Sequence, residues 1–233
     1  MNKILMAIIV VTLGIGAVGT YLYFNINSLV KEGIESAGES ALGVSVTVDK
    51  VQISILSGTG HIQGLEVANP DGYSTSKPAI SIADIEVTLD LSSLTTDTII
   101  IKNIFIDGPE IFYERQLLES NIGQLQENSE GPSDENGGSS VESNLIIAHL
   151  EVRNARISVI TPLMDKAISL RMPLLELNDL GKNEASSFKK VINEVLIALN
   201  KSLIPLITEN VGLGDQIKDA GKKLGDKIKG FFN

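Results

Sequence analysis

Residues 43–67 read GVSVTVDKVQISILSGTGHIQGLEV. Val44, Val46 and Val48 alternate with polar residues, and Val51, Ile53 and Ile55 do so again one residue out of phase. A period of two is that of a strand with one face buried, so this stretch sets a β architecture. The slip at Asp49-Lys50 predicts a bulge or a bend. Gly58-Thr59-Gly60 then predicts a turn into a second strand through Ile62, Leu65 and Val67.

Downstream, Asn69-Pro70-Asp71-Gly72 is a turn sequence in which Pro presets φ and its neighbours accept unusual dihedrals. Alternation resumes at Ile80, Ile82, Ile85, Val87, Leu89 and Leu91, and again at Ile99, Ile101, Ile104 and Ile106. Gly108-Pro109 interrupts it before Ile111 to Glu114. The same texture returns in 145–152, 153–160 and 167–177, so the expectation is a mostly antiparallel sheet of about eight strands. Such an apolar face needs a cover, and amphipathic helices are predicted at 28–42 and 186–207, with Pro205 expected to kink or end the second. The fold class is therefore α+β.

Ahead of the first helix, residues 4–24 carry no charge and follow Lys3. At about 1.5 Å per residue the run reaches about 31 Å, enough for a bilayer core of about 30 Å. A cleaved signal peptide would share Lys3, the apolar stretch and the small Ala17 and Gly19. Continuation of the run through Tyr21, Leu22, Tyr23 and Phe24 favours an uncleaved transmembrane anchor, since aromatic rings suit the headgroup layer. Lys3 and the terminal amine put the N-terminus in the cytoplasm and the remainder outside it.

Charge divides the chain further. The whole carries a formal −10, which argues against nucleic acid as a partner. With no cysteine there is no disulfide, thiolate nucleophile or zinc-thiolate site. Glu127 to Asn144 holds five acids and no base in a Gly, Pro and Ser context, and is read as a disordered loop. From Lys182 onward nine lysines face six acids. In that tail Leu213, Ile217, Ala220, Leu224, Ile228 and Phe231 share one helical face, with Lys218, Lys222 and Lys229 opposite. Five glycines between 212 and 230 weaken this helix, so it needs a surface, either the sheet or an anionic leaflet. His61 and His149 lie on alternating strands and read as face residues, and Asp84, Glu86, Asp97 and Asp107 are spaced as solvent-facing carboxylates. No catalytic residue, cofactor or metal ligand is assigned, and the chain is read as a non-enzyme.

Residues 43–73 resemble the N-terminal module of AsmA-like proteins. The features that carry the likeness are Ser57-Gly58, the run Gly64-Leu65-Glu66-Val67-Ala68-Asn69-Pro70-Asp71-Gly72-Tyr73, paired strands at 82–94 and 99–114 with Asp107-Gly108-Pro109-Glu110, and Asn121 just beyond them. The resemblance covers residues 1–125 closely and 145–181 more loosely. It implies a protein of a bacterial inner membrane, facing the periplasm, with a curved sheet whose apolar concave face serves phospholipid movement or envelope homeostasis. The membrane, phospholipid and envelope proteins are the implied partners. About eight strands at about 4.8 Å cover only about 40 Å, too short for a bridge across the envelope.

The expected organisation is an anchor (1–27), a helix and first β unit (28–126), the acidic loop (127–144), a second β unit (145–181) and a helical tail (182–233). Ile53, Ile55, Ile82, Ile85, Val87, Leu89, Ile104 and Ile106 are the expected lipid contacts. Leu213, Ile217, Leu224, Ile228 and Phe231 are the expected membrane-surface contacts. The competing reading is a membrane-anchored scaffold or assembly factor for outer-membrane biogenesis, whose helices fill the sheet permanently.

Overall fold

The computed structural model describes residues 25–116, 119–130, 144–162, 164, 166–182 and 186–211. The anchor sequence 4–24, most of the acidic loop and all five tail residues from Leu213 to Phe231 lie outside them. The fold is α+β, a curled half-barrel of mixed sheet with three helices. In chain order the elements are α1 (25–42), β1 (Val46–Thr47), β2 (Lys50–Ser54), β3 (Thr59–Val67), β4 (Ile80–Leu89), a 3-10 turn (Leu91–Thr95), β5 (Thr98–Asp107), β6 (Glu110–Glu114), α2 (Asn121–Glu130), β7 (Asn144–Arg153), β8 (Arg156–Ile160), β9 (Ile168–Arg171), β10 (Leu175–Leu180) and α3 (Phe188–Val211).

The ten strand segments form six continuous lines. β1 and β2 pair with β3 in one register, from Val46↔Val67 to Ser54↔Thr59. β5 and β6 continue one register along β4, Ile85↔Ile106 and Ile80↔Ile111. β7 and β8 follow β5 and β6 in parallel at one constant offset, and β9 and β10 close the sheet antiparallel to them. The expected count of eight gives way to ten strand segments in six lines, and the mostly antiparallel reading holds, with four antiparallel seams and one parallel seam. The 29 residues between Glu114 and Asn144 allow the chain to return before pairing, which parallel strands require.

Extending the registers across the interruptions sets Asp49, Gly64, Ala83, Gly108, Asn154 and Pro173 opposite one another through all six lines. Gly64, Gly108 and Asn154 have φ of 62°, 65° and 53°. This crease adds one residue to every strand at the same place, so apolar positions step by three across it and the same face stays inward. Ile82 to Ile85, Ile106 to Pro109 and Val152 to Ala155 are such steps. Because every register runs through the crease without a shift, it is a bend shared by all six lines, and a sheet bent along one line curls. At Gly64 a Cβ would collide with the Asp49 side chain, so glycine is needed there for space as well as for φ.

The helices close two sides. α1 lies along the free edge of the first line: Glu35 Oε1 accepts from Val48 N at 2.8 Å, and Asn27 Oδ1 accepts from Ile53 N at 2.9 Å. Side chains thereby satisfy an edge that would otherwise invite another strand. α2 packs on β6, and α3 packs on β7, β10 and α2. α3 runs past Pro205, so the proline does not end it; Pro205 faces solvent while Leu203 and Ile207, both fully buried, hold the helix on either side of it. α2 was not foreseen, and residues 127–130 belong to it rather than to a disordered loop.

Candidate functional site

The concave face is a lattice of apolar rows, three of them crossing all six lines and a fourth crossing four. Val46, Val67, Ile80, Ile111, Ile157 and Leu170 form one row. Val51, Ile62, Ile85, Ile106, Val152 and Leu175 form another beyond the crease. Next come Ile53, Gly60, Val87, Ile104, Leu150 and Leu177, and then Leu89, Ile101, Ile147 and Leu180.

Burial divides this face. Ile111, Ile157 and Val159 are closed over together with Ile122 and Leu125 of α2 and Leu203 and Ile207 of α3. Towards the β2–β3 turn, Ile53, Val87, Leu89, Ile99, Ile101 and Ile104 are only half-buried, while Ile147, Leu150 and Leu180 beside them remain buried near α3. The open part is the corner formed by β2, β4 and β5.

Seven of the eight expected lipid contacts lie on the concave face. Ile82, Ile85 and Ile106 are buried core residues, closed to a ligand, whereas Ile53, Val87, Leu89 and Ile104 line the open corner. Ile55 does not belong with them. It sits in the β2–β3 turn, 42% exposed, because the strand ends at Ser54 before the alternation in sequence does. Ile99 and Ile101 also belong to the corner and are not among the expected contacts, although their alternation placed them on a strand.

The far end of the sheet is held by polar side chains. Asn121, fully buried, accepts from Glu114 N and Ile122 N through Oδ1, and donates through Nδ2 to Asn69 Oδ1 at 2.7 Å and to the Phe112 carbonyl. Asn69 in turn donates to the Ser74 and Lys77 carbonyls and pins the loop 68–79. Tyr73 in that loop has its phenol pushed up to about 12 by burial and by Glu119 and Glu114. Burial also raises Tyr113, against a hydrogen bond from Ser120. Between α2 and α3, Asn200 Nδ2 donates to Gln126 Oε1 at 2.7 Å and Asn193 Nδ2 to Ser129 Oγ at 2.8 Å. These buried polar pairs fix how the two helices meet, because a shifted register would leave them unsatisfied.

The convex face is polar. His61 and His149 both lie on it, as read, with His61 Nδ1 3.1 Å from Asp84 Oδ2 and His149 Nδ1 2.9 Å from Asn178 Oδ1. Two groups there, His61 with Asp84 and Glu86, and His149 with Glu151 and Glu176, have ligand atoms near enough to share a metal ion. Glu151 also pairs with Arg153, whose guanidinium covers the Phe105 ring at 5.1 Å. The cross-strand pairings His61↔Glu86 and Glu151↔Glu176 create these groups, so strand spacing alone could not reveal them.

Among the described residues one helix, Phe188–Asn210, has the length and apolarity to cross a membrane. In this fold it is the core helix α3, whose Val191, Leu196, Leu199, Leu203 and Ile207 join the sheet's core. Comparison with protein-family models, curated proteins and solved structures gives no match.

Proposed function

We propose that this is a membrane-anchored, AsmA-like protein that holds phospholipid acyl chains against the open corner of its concave sheet. The single observation that carries the reading is the uneven cover of one continuous apolar face, with Ile53, Val87, Leu89 and Ile104 half-buried while Ile111, Ile157 and Val159 at the far end are sealed. Acyl chains match such a surface because they bring apolar area and no hydrogen-bonding demand. The direct bond between Asn69 and Asn121, both part of the sequence resemblance, gives those motif residues a shared structural reason. In this reading residues 4–24 cross the inner membrane once, with the N-terminus cytoplasmic and the sheet in the periplasm. Six lines at about 4.8 Å make a sheet about 29 Å wide, suited to local shielding or handover of lipid. The chemistry required is binding alone.

The scaffold reading draws on a different observation, the far half filled by α2 and α3. It predicts no enriched lipid. Extraction of the detergent-purified full chain, with lipid mass analysis against an unrelated single-pass protein, separates the two. Enriched phospholipid supports the binding reading, and a lipid content equal to the control contradicts it.

A further inference from the structure

The two turns beside the open corner are built unlike ordinary surface turns. The β2–β3 turn, 55–58, begins with Ile55 and Leu56, exposed by 42% and 97%, at positions where hairpins favour Asn, Asp and Gly. The 3-10 turn after β4 exposes Leu91 and Leu94 by 37% and 50%. The turns touch: Leu89 N donates to the Gly58 carbonyl at 2.7 Å, and a Cβ on Gly58 would meet Leu91 at 3.2 Å. Together they form one apolar tip. Residues 53–60 and 91–96 contain no charge in a chain of net −10; of the two acids that flank the second turn, Asp90 is paired with Lys102 and Asp97 follows Thr96 just before β5.

The start of α1 fixes what this tip faces. Asn27 is bonded to Ile53, two residues from Ile55, so the uncharged run 4–24 joins the domain beside the tip. We propose that Ile55, Leu56, Leu91 and Leu94 insert into the acyl layer of the bilayer next to the anchor and hold the open corner at the membrane surface. This rests on the reading of residues 4–24 as an anchor. An uncharged tip carrying four large apolar side chains, with Ser and Thr between them, suits an interface where hydrocarbon gives way to headgroups. It also gives an acyl chain a route between leaflet and concave face without exposure to water.

The chain has no tryptophan, so a single substitution supplies a unique fluorophore. Leu56→Trp and Leu94→Trp, both at exposed positions, are compared in the full chain with Leu174→Trp, which sits 55% exposed between β9 and β10. Each is reconstituted into phosphatidylethanolamine and phosphatidylglycerol vesicles carrying brominated acyl chains, and flotation is measured on the same samples. The expected result is at least threefold stronger bromine quenching at the two tip positions than at position 174, with all three proteins floating. Floating protein whose tip tryptophans are quenched no more than position 174 overturns the tip and leaves the anchor standing. Protein that does not float overturns the anchor reading and the tip with it. Lipid enrichment is read separately by extraction, so failure of the binding reading is distinguishable from either outcome.

Discussion

The two ends of the concave face are made from the same residue types and behave differently. At the far end, Ile111, Ile157, Ile122, Leu203 and Ile207 interlock and the surrounding polar groups are matched. At the near end, Ile53, Val87, Leu89 and Ile104 stand on strands in the same registers, but among the described residues they are only half-buried. Sequence alternation specifies which side of a strand is apolar, whereas only tertiary packing determines whether that side is core or site. A difference in cover separates the sealed half of this sheet from the half-buried corner proposed to hold lipid.

That contrast can be broken at several depths. Leu203→Ala at the sealed end should cost the most, about 3 kcal/mol, because a fully buried Leu leaves a cavity that its neighbours fill only in part. Denaturant unfolding checks it, and a cost below about 1 kcal/mol would show that the far end is not sealed. Asn121→Ala should follow at about 2 kcal/mol, since Glu114 N and Asn69 lose a buried partner. Increased proteolysis in the loop 68–79 would accompany it. Gly64→Ala, on the crease that serves both ends, should cost about 1–2 kcal/mol through its positive φ, with the Asp49 contact adding to that. Ala83→Gly on the same line serves as the control, being exposed and free of such a φ. At the near end, Ile53→Asn with Leu89→Asn should change stability least, by about 1 kcal/mol, yet remove most of the co-purifying lipid.

Much of this was legible in the residues. The phase slip at Asp49-Lys50 and the break at Gly108-Pro109 are local, and both mark where the strands bend without a shift of register. Their alignment into one crease depends on registers that no single strand encodes. The parallel seam between β5–β6 and β7–β8 was hidden for the same reason, because it joins segments separated by the acidic loop. α2 was hidden by its own composition: Asn121, Gln126 and Ser129 look like loop residues, and they are buried only because β6 and α3 offer partners. Alternation placed seven of the eight expected contacts on one face, but it did not distinguish the buried Ile82, Ile85 and Ile106 from the half-buried Ile53, Val87, Leu89 and Ile104. Ile55 shows the limit most clearly, since it continues an alternating pattern into a turn.

The most direct test of the central claim uses phospholipid with a photoactivatable diazirine in its acyl chain, incorporated into vesicles holding the full-length protein. After illumination, peptide mass analysis locates the adducts. The account predicts adducts on the peptides containing Ile53, Val87, Leu89 and Ile104, and none on those containing Ile157 or Leu203. Adducts confined to residues 4–24, or spread over the convex face around His61 and His149, would contradict it.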